Sequence, residues 1–514
     1  MPSLGIFLGA FASFGGFLFG YDTGYIAGLK EMPYFLSVYG TRQADGHLKL
    51  TSKTDSLITS ILSAGTFFGA LLASTVGDKL GRRRGIMAYI AVFCVGVALQ
   101  TGTKSLVGFA IGRVLAGLGV GGTSCLVPIY QSECAPRHLR GTIVSAYQWF
   151  ITIGLLVAAI VVNATKDRPN ASSYQIPVSI QFVWAAILVG GLALLPESPR
   201  WLLLAGRKDD SLKALSRLLG EPTESAKVTE QYNEIHANLE HELAEGRGTW
   251  ADCFRMGEGK NFKRVITGCL LQALQQLTGI NFIFYYGTTF FTNSGISSPF
   301  LITIATNVVN VGCTIPGMWA ADKIGRRPLM LYGAAGMAVS QIVVAAIGVA
   351  RPITDAAAQK VLVAFVCIYI AHFASTWATL AWVITAELPP YSIRTKSMSL
   401  TTASNWALNF AISYSTPFLV NTGPGNAGLK TNVFWIWGGC CCVAFVFAYF
   451  MIPETKQLSL EQIDILYRNS TPRNSRAYRR YILEQNIREG QPDSPGNIEK
   501  PEAEHVEKKE EQGE

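Results

Sequence analysis

"GDKLGRRR", residues 77–84, returns as "ADKIGRRP", residues 321–328. "ECAPRHLRG" (133–141) returns as "ELPPYSIRT" (387–395), and "PESPRW" (196–201) as "PETKQL" (453–458). The three pairs keep their order at a nearly constant offset of about 250 residues, which marks an internal duplication. The motifs follow or precede long apolar runs. "IMAYIAVFCVGVALQTG" (86–102) and "VFWIWGGCCCVAFVFAYFMIP" (433–453) carry no charge over a length that spans a bilayer. Twelve such runs are expected: 5–28, 57–77, 85–102, 106–130, 141–163, 180–196, 263–292, 299–320, 328–350, 361–388, 397–420 and 432–453. The duplication divides them into two six-helix halves in parallel arrangement, with a binding site near the midplane between them.

The expected fold class is therefore all-α: a membrane protein of twelve transmembrane helices. Residues 1–196 form the N-terminal half and 263–455 the C-terminal half. Composition agrees. Of the 514 residues 49% are hydrophobic and only 15% charged, against about 25% charged in soluble domains. A soluble chain of several domains would break its apolar runs with charges, and this one does not. The first run is too long for the apolar core of a cleavable signal peptide, and no small-residue cleavage site follows it.

Orientation follows from the loops. With both termini in the cytosol, about three quarters of the 43 Lys and Arg lie on the cytosolic side. The net charge of +8 thus reflects topology. It does not point to nucleic acid, because no aromatic–basic recognition element accompanies it. The ten cysteines fall in helices or cytosolic segments, so no disulfide framework is expected, and no metal-ligand spacing occurs.

Residues 197–262 read as a charged cytosolic linker of short surface helices. Leu212, Leu215, Leu218 and Leu219 recur at helical spacing before Gly220. Val228, Tyr232, Ile235, Leu239 and Leu243 do so again. Residues 456–514 read as a hydrophilic cytosolic tail. It is expected to be largely disordered, its last twenty residues being rich in Glu and Lys with Pro and Gly.

Within the apolar runs, polar residues stand out. Asp22 is the first charge of the chain, inside "GGFLFGYDTGYIAG" (15–28). A carboxylate at bilayer depth costs about 2.5–3.5 kcal/mol on insertion scales, so it calls for a function and a partner. Arg113, in "GRVLAGLGVGG", is the only Lys or Arg expected within a helix interior, and is the natural partner. Four helices carry one-sided polar stripes: Ser145, Gln148 and Thr152; Gln272, Gln275, Gln276 and Gly279; Thr303, Thr306, Asn307, Asn310 and Thr314; Thr402, Asn405, Trp406, Asn409 and Ser413. One stripe would be interhelical glue. Four amide-bearing stripes point to an aqueous cavity. Amides both donate and accept, which suits a neutral polyhydroxylated ligand, whereas a phosphate would call for clustered Arg or Lys. Trp377, Trp382 and Trp406 can offer apolar faces to it.

The ordered set "GRR", "PESPRW", "QQLTGIN", "GRRP" and "PETK" resembles the sugar porter family of the major facilitator superfamily, of the fungal hexose (monosaccharide) transporter type, over about residues 5–460. The resemblance implies the major facilitator fold, no cofactor, and sugar contacts from Gln148, Gln275, Gln276, Asn281, Asn310, Phe373, Trp382, Asn405 and Trp406. Asn281 is off the glutamine stripe of an ideal helix; the family's break in this helix, which Gly279 permits, would bring it back. The resemblance also pairs Asp22 with Arg113 for proton coupling. It reads the motif charges as gates that tie the halves together in one state: Asp78 with Arg82 and Arg83, Glu133 with Arg140, Asp322 with Arg326 and Arg327, and Glu387 with Arg394, joined by Glu197 and Glu454. One departure is plain. The family's Gly-Pro before the helix-ten Trp is here Ala378-Thr379, so the proline that helps kink this helix is missing.

The expected activity is import of a monosaccharide, glucose or a related hexose, across the plasma membrane by alternating access with proton symport, by a monomer embedded in the lipid bilayer. The alternatives are a hexose facilitator and a transporter-like glucose sensor. An enzyme is not expected, since no nucleophile–base set or metal cluster appears. Sequons at Asn163 and Asn170 lie in an expected external loop; Asn163 is close to the bilayer, which leaves Asn170 as the glycosylation site.

Overall fold

The computed structural model describes residues 9–42, 47–134, 140–244, 248–257, 259–293, 298–351, 355–458 and 460–488. Nine helices among them are long and apolar enough to cross a membrane: Ser52–Leu80, Arg82–Gly102, Leu106–Cys134, Thr142–Thr165, Ser172–Leu194, Pro299–Lys323, Arg326–Ala350, Ala356–Glu387 and Lys430–Met451. These are helices two to six, eight to ten and twelve. Three more complete the expected twelve. Helix one is Phe14–Leu29; helix seven is split into Asn261–Leu277 and Ile280–Asn293; helix eleven is Arg394–Val420. Helices one, seven and eleven carry Asp22, the glutamine stripe and the Asn405 stripe.

The halves pack alike. Helix four lies against helices two and three, and helix one against helix five. In the second half helix nine lies against ten and twelve, and seven against eleven. Backbones approach closely where glycine permits. A Cβ on Gly20 would sit 2.0 Å from the Ile151 carbonyl oxygen, so helices one and five touch main chain to main chain. The halves meet through helices two and eleven, five and eight, five and ten, one and seven, and four and eleven.

Two membrane helices are broken, and side chains from neighbouring turns and helices bond the backbone at each break. Gly279 adopts φ +83°, which ends one segment of helix seven and starts the next. The carbonyl of Thr278, freed by the break, accepts from Gln341 Nε2 at 2.6 Å and from the Tyr369 hydroxyl at 2.8 Å. Helix ten breaks at Thr376 (φ −134°, ψ −85°), ahead of the position where the usual proline is missing. Thr376 Oγ1 returns to the His372 carbonyl at 2.6 Å. Gln275 Nε2 caps the carbonyls of Trp377 and Ala378 at 3.1 and 3.2 Å.

The linker forms helices Pro199–Leu204, Lys208–Leu219 and Ala226–Ala244. Leu215, Leu218, Val228 and Leu239 are buried, and Gly220 closes the second helix at φ +70°. The tail departs from the expectation of disorder over its first part. Leu460–Asn469 and Ser475–Arg488 are helical. Asp464 pairs with buried Arg264 of helix seven at 2.6 Å, and Lys260 Nζ donates to the carbonyls of Tyr467 and Arg468. Its few apolar residues, among them Ile463, Leu466 and Ile482, are buried, a short pattern masked by the charged surroundings. Residues 489–514 lie outside the described residues.

Gly279→Ala tests the break in helix seven. A Cβ there would lie 2.5 Å from Trp437 Cγ at a positive φ. The expected cost is about 2–3 kcal/mol, seen as a lower melting temperature of the solubilised protein. Gly439→Ala in helix twelve meets nothing within 4 Å and serves as the control. Equal melting temperatures would contradict the assignment.

Candidate functional site

The amide stripes converge, and Asn405 is their junction. Its Nδ2 donates to Gln272 Oε1 at 2.7 Å and to Gln275 Oε1 at 2.9 Å, while its Oδ1 accepts from Gln276 Nε2 at 2.9 Å. Gln276 Oε1 accepts from Asn281, which the break at Gly279 has brought onto the stripe, and from Asn409 Nδ2 at 3.4 Å. Asn409 Oδ1 accepts from the Tyr285 hydroxyl at 3.1 Å and, across the interface between halves, from Ser63 Oγ at 2.7 Å. Every one of these amides is buried.

The other expected residues lie outside this hydrogen-bonded cluster. Asn310 of helix eight is buried with its Oδ1 unpartnered, as is Thr379 Oγ1 of helix ten. Gln148 of helix five is buried beside Tyr147, whose ring meets Trp382 edge-on at 5.9 Å. Phe373 is buried three residues before the break in helix ten. Trp406 Nε1 donates to Ser124 Oγ of the other half at 3.2 Å, and its ring faces Phe19 at 4.9 Å. The hydroxyls of the stripes behave differently from the amides. Thr152, Thr306, Thr314 and Ser413 bond back to carbonyls of their own helices and reach no neighbour. Thr303 does reach across: its hydroxyl meets that of Thr288 on helix seven at 3.0 Å. Tyr285, Asn409 and Ser63 belong to the cluster and were not singled out from sequence as site residues. Asn409 was legible as the next residue at i+4 from Asn405; Tyr285 and Ser63 were not.

The cluster is closed from both ends. At the end without the "GRR" motifs, Ser56 Oγ donates to the Tyr414 carbonyl at 2.6 Å and Asn421 Nδ2 to Ser52 Oγ at 3.1 Å. Lys30 lies 3.8 Å from the centre of the Tyr286 ring. At the "GRR" end, Ser399 Oγ contacts the Ser74 amide at 3.2 Å and Cys125 Sγ at 3.6 Å, and Thr142 Oγ1 donates to Asp322 Oδ2 at 3.1 Å. All of these contacts join one half to the other. A cleft of about 250 Å³ lies elsewhere, at the "GRR" end beneath the first half, lined by Arg83, Arg84, Glu197, Trp201 and Lys213 among others.

Asp22 and Arg113 are brought together, both fully buried, with 3.9 Å between Oδ1 and Nη1. Arg113 is not the only buried cation. Lys30, just past helix one, is buried and pairs with Asp55 of helix two at 2.7 Å, with Thr59 Oγ1 at 3.0 Å. It reads as a loop residue in sequence because the apolar run ends beside it.

Among the described residues the motif charges pair in two matching networks, each inside one half, and Asp322 in addition accepts from Thr142 of the other half. Arg82 meets Glu133 at 3.1 Å and Asp78 at 3.2 Å; Arg326 meets Glu387 at 3.0 Å and Asp322 at 3.5 Å. Arg83 donates to the Leu195 carbonyl at 2.7 Å and Arg327 to that of Tyr449 at 2.9 Å. Arg394 Nη2 lies 3.5 Å from the Pro389 carbonyl, and the side chain of Arg140 lies outside the described residues. Glu197 and Glu454 play a part the sequence did not suggest. Glu197 accepts from the backbone amides of Arg82, Arg83 and Ser198 at 2.9–3.2 Å. Glu454 accepts from those of Arg326, Arg327 and Lys456 at 3.0–3.2 Å. Each carboxylate thus caps the start of a membrane helix, three and nine, where unpaired amides and the helix dipole favour an anion. Asn170 is exposed in the turn after helix five, and Asn163 lies within that helix.

Comparisons with known proteins agree with this architecture. The family model "Sugar (and other) transporter" matches residues 8–467. The chain is 52% identical over 473 residues to the major facilitator-type transporter ecdD of Aspergillus rugulosus, covering 90% of this chain and 87% of that one. It is 42% identical over 470 residues to the high glucose sensor RGT2 of Saccharomyces cerevisiae, covering 91% of this chain but 61% of the longer sensor. Among solved structures it resembles the proton:xylose symporter XylE bound to 6-bromo-6-deoxy-D-glucose, with a TM-score of 0.77 and 27% identity over 91% of this chain and 100% of that one. Against an inward-open form of XylE from E. coli the TM-score is 0.69, with 26% identity over 90% of this chain and 99% of that one.

Glu197→Ala removes an acceptor shared by three amides and is expected to cost about 1–3 kcal/mol. Asp78→Ala breaks one pair whose carboxylate is 42% exposed, and is expected to cost less than about 1 kcal/mol. Melting temperatures of the two solubilised variants check the order; equal losses would contradict the capping role.

Proposed function

This chain belongs to the sugar transporter family of the major facilitator superfamily, and we propose that it imports glucose or a closely related hexose by proton symport. It is a multi-pass membrane transporter and not an enzyme. The observation that carries the substrate reading is the Asn405 junction: neutral amides from two helices meet beside the interface between halves, closed at both ends. Each amide–amide hydrogen bond can be exchanged for one to a sugar hydroxyl at little net cost. Gln148, Gln275, Gln276, Asn281, Asn310, Phe373, Trp382, Asn405 and Trp406 form the sugar site. The buried, unpartnered Oδ1 of Asn310 is an acceptor for a ligand hydroxyl. The glucose derivative bound by XylE, and the ligand named for the yeast sensor, support glucose as the substrate.

Protons enter through Asp22 and Arg113. Two opposite charges buried in one half, close but not hydrogen-bonded, suit a carboxylate that changes protonation as the halves rock. XylE, a proton symporter, supports this reading. The protein sits in the plasma membrane as a monomer with both termini in the cytosol, and Asn170 carries glycan. The motif networks keep each half rigid, and the hydrogen bonds between halves are the gates.

Uptake of labelled glucose in transporter-null cells, with and without a protonophore, separates transport from sensing and symport from facilitation. Gln275→Ala and Asn310→Ala are each expected to raise KM about five- to 150-fold at normal surface expression, the worth of about 1–3 kcal/mol of lost hydrogen bonding. Unchanged KM in both would sink the site. Asp22→Asn is expected to keep sugar exchange and to lose concentrative uptake. A variant that still accumulates sugar against its gradient would show that Asp22 is not the proton carrier.

A further inference from the structure

Arg113 lies near Asp22 but does not bond to it, and the cause is visible on the same face of helix one. Arg113 Nη1 donates to the Tyr25 hydroxyl at 2.9 Å. That hydroxyl donates in turn to Gln100 Oε1 of helix three at 2.8 Å, and Gln100 Nε2 is tethered to the Gly96 carbonyl at 3.4 Å. A phenol has one proton. With it committed to Gln100, Tyr25 can accept from Arg113 but has nothing left to give Asp22. Both oxygens of Asp22 remain without a hydrogen-bond partner, as do Nε and Nη2 of Arg113. A buried carboxylate in that position is costly as an anion, and a proton relieves it.

We propose that Tyr25, oriented by Gln100, is a positioning residue that draws Arg113 off Asp22 and so creates the state in which Asp22 takes its proton. This rests on the symport reading above. The chain Gln100–Tyr25–Arg113 ties helices three, one and four at one depth, so a shift of helix four against helix one trades one partner for the other. Closing the present 3.9 Å gap to hydrogen-bond distance takes about 1 Å. Besides Arg113 from helix four, the titratable groups acting on Asp22 are Tyr25 on its own helix and Tyr285 from helix seven; helix six brings neutral Gln181. Among these, Arg113 carries the only positive charge, so control over Arg113 is control over Asp22.

The test uses the full-length protein in liposomes, with labelled glucose and an imposed proton gradient. Tyr25→Phe deletes the competing acceptor, so Arg113 closes on Asp22 and holds it charged to lower pH. The pH of half-maximal proton-driven uptake is expected to fall by about one unit, while counterflow exchange stays within about twofold of the parent. Gln100→Leu frees the Tyr25 proton for Asp22 and is expected to move the profile in the same direction by less. A merely structural loss would lower exchange and driven uptake together without moving the profile. If the parent accumulates glucose and both variants keep its pH profile, the role of Tyr25 is overturned and symport stands. If the parent accumulates none, the symport reading falls and this inference with it.

Discussion

Hydrocarbon offers a polar group no hydrogen bond, so a polar group inside this molecule is costly unless the chain or a ligand supplies its partner. The broken helices show the consequence. The break at Gly279 frees the Thr278 carbonyl, and Gln341 and Tyr369 from helices nine and ten take it. Just after the break at Thr376, Gln275 of helix seven donates to the carbonyls of Trp377 and Ala378 and so holds the start of the second segment of helix ten. Gln275 also accepts from Asn405, so the group that reaches helix ten belongs to the cluster proposed for the sugar. Irregular backbone, buried amides and the proposed ligand site thus share side chains.

The same accounting separates what is rigid from what moves. Within each half, carboxylates cap helices three and nine, and arginines bridge pairs of carboxylates, an arrangement repeated almost bond for bond. Between the halves, the bonds described are mostly single and neutral, such as Ser63 to Asn409 and Ser56 to the Tyr414 carbonyl. A neutral hydrogen bond contributes about 0.5–1.5 kcal/mol net, and losing one partner of a buried charge pair costs about 3–5. The proposed rocking of the halves against each other would therefore break the weaker set and leave the stronger intact.

Much of this was legible in the sequence, for identifiable reasons. The duplication and the apolar runs depend on composition alone, so the twelve helices and the two halves could be read directly. The amide stripes follow from helical periodicity, and Gly279 announced the break that returns Asn281 to Gln276. What was hidden depends on distance across the fold. Glu197 and Glu454 were read as members of an ion network, yet they serve backbone amides, which no side-chain pattern records. The expected pairs Asp78–Arg82 and Asp322–Arg326 lie four residues apart and could be read along one helix end, whereas Glu133 and Glu387 join the same arginines from a distant helix. Lys30 looked like a loop residue and is buried beneath Tyr286. Tyr25 stood three residues from Asp22 in plain sight, but only geometry reveals that it takes the hydrogen bond the ion pair would have made.

The central claim is that the amides around Asn405 are where the transported sugar binds. The most direct measurement is a structure of the protein loaded with glucose. The account predicts glucose between the halves, with its hydroxyls replacing at least one of the Asn405 contacts to Gln275 and Gln276 and reaching Gln148 and Asn310. Glucose bound elsewhere, with the Asn405 junction intact, would contradict it.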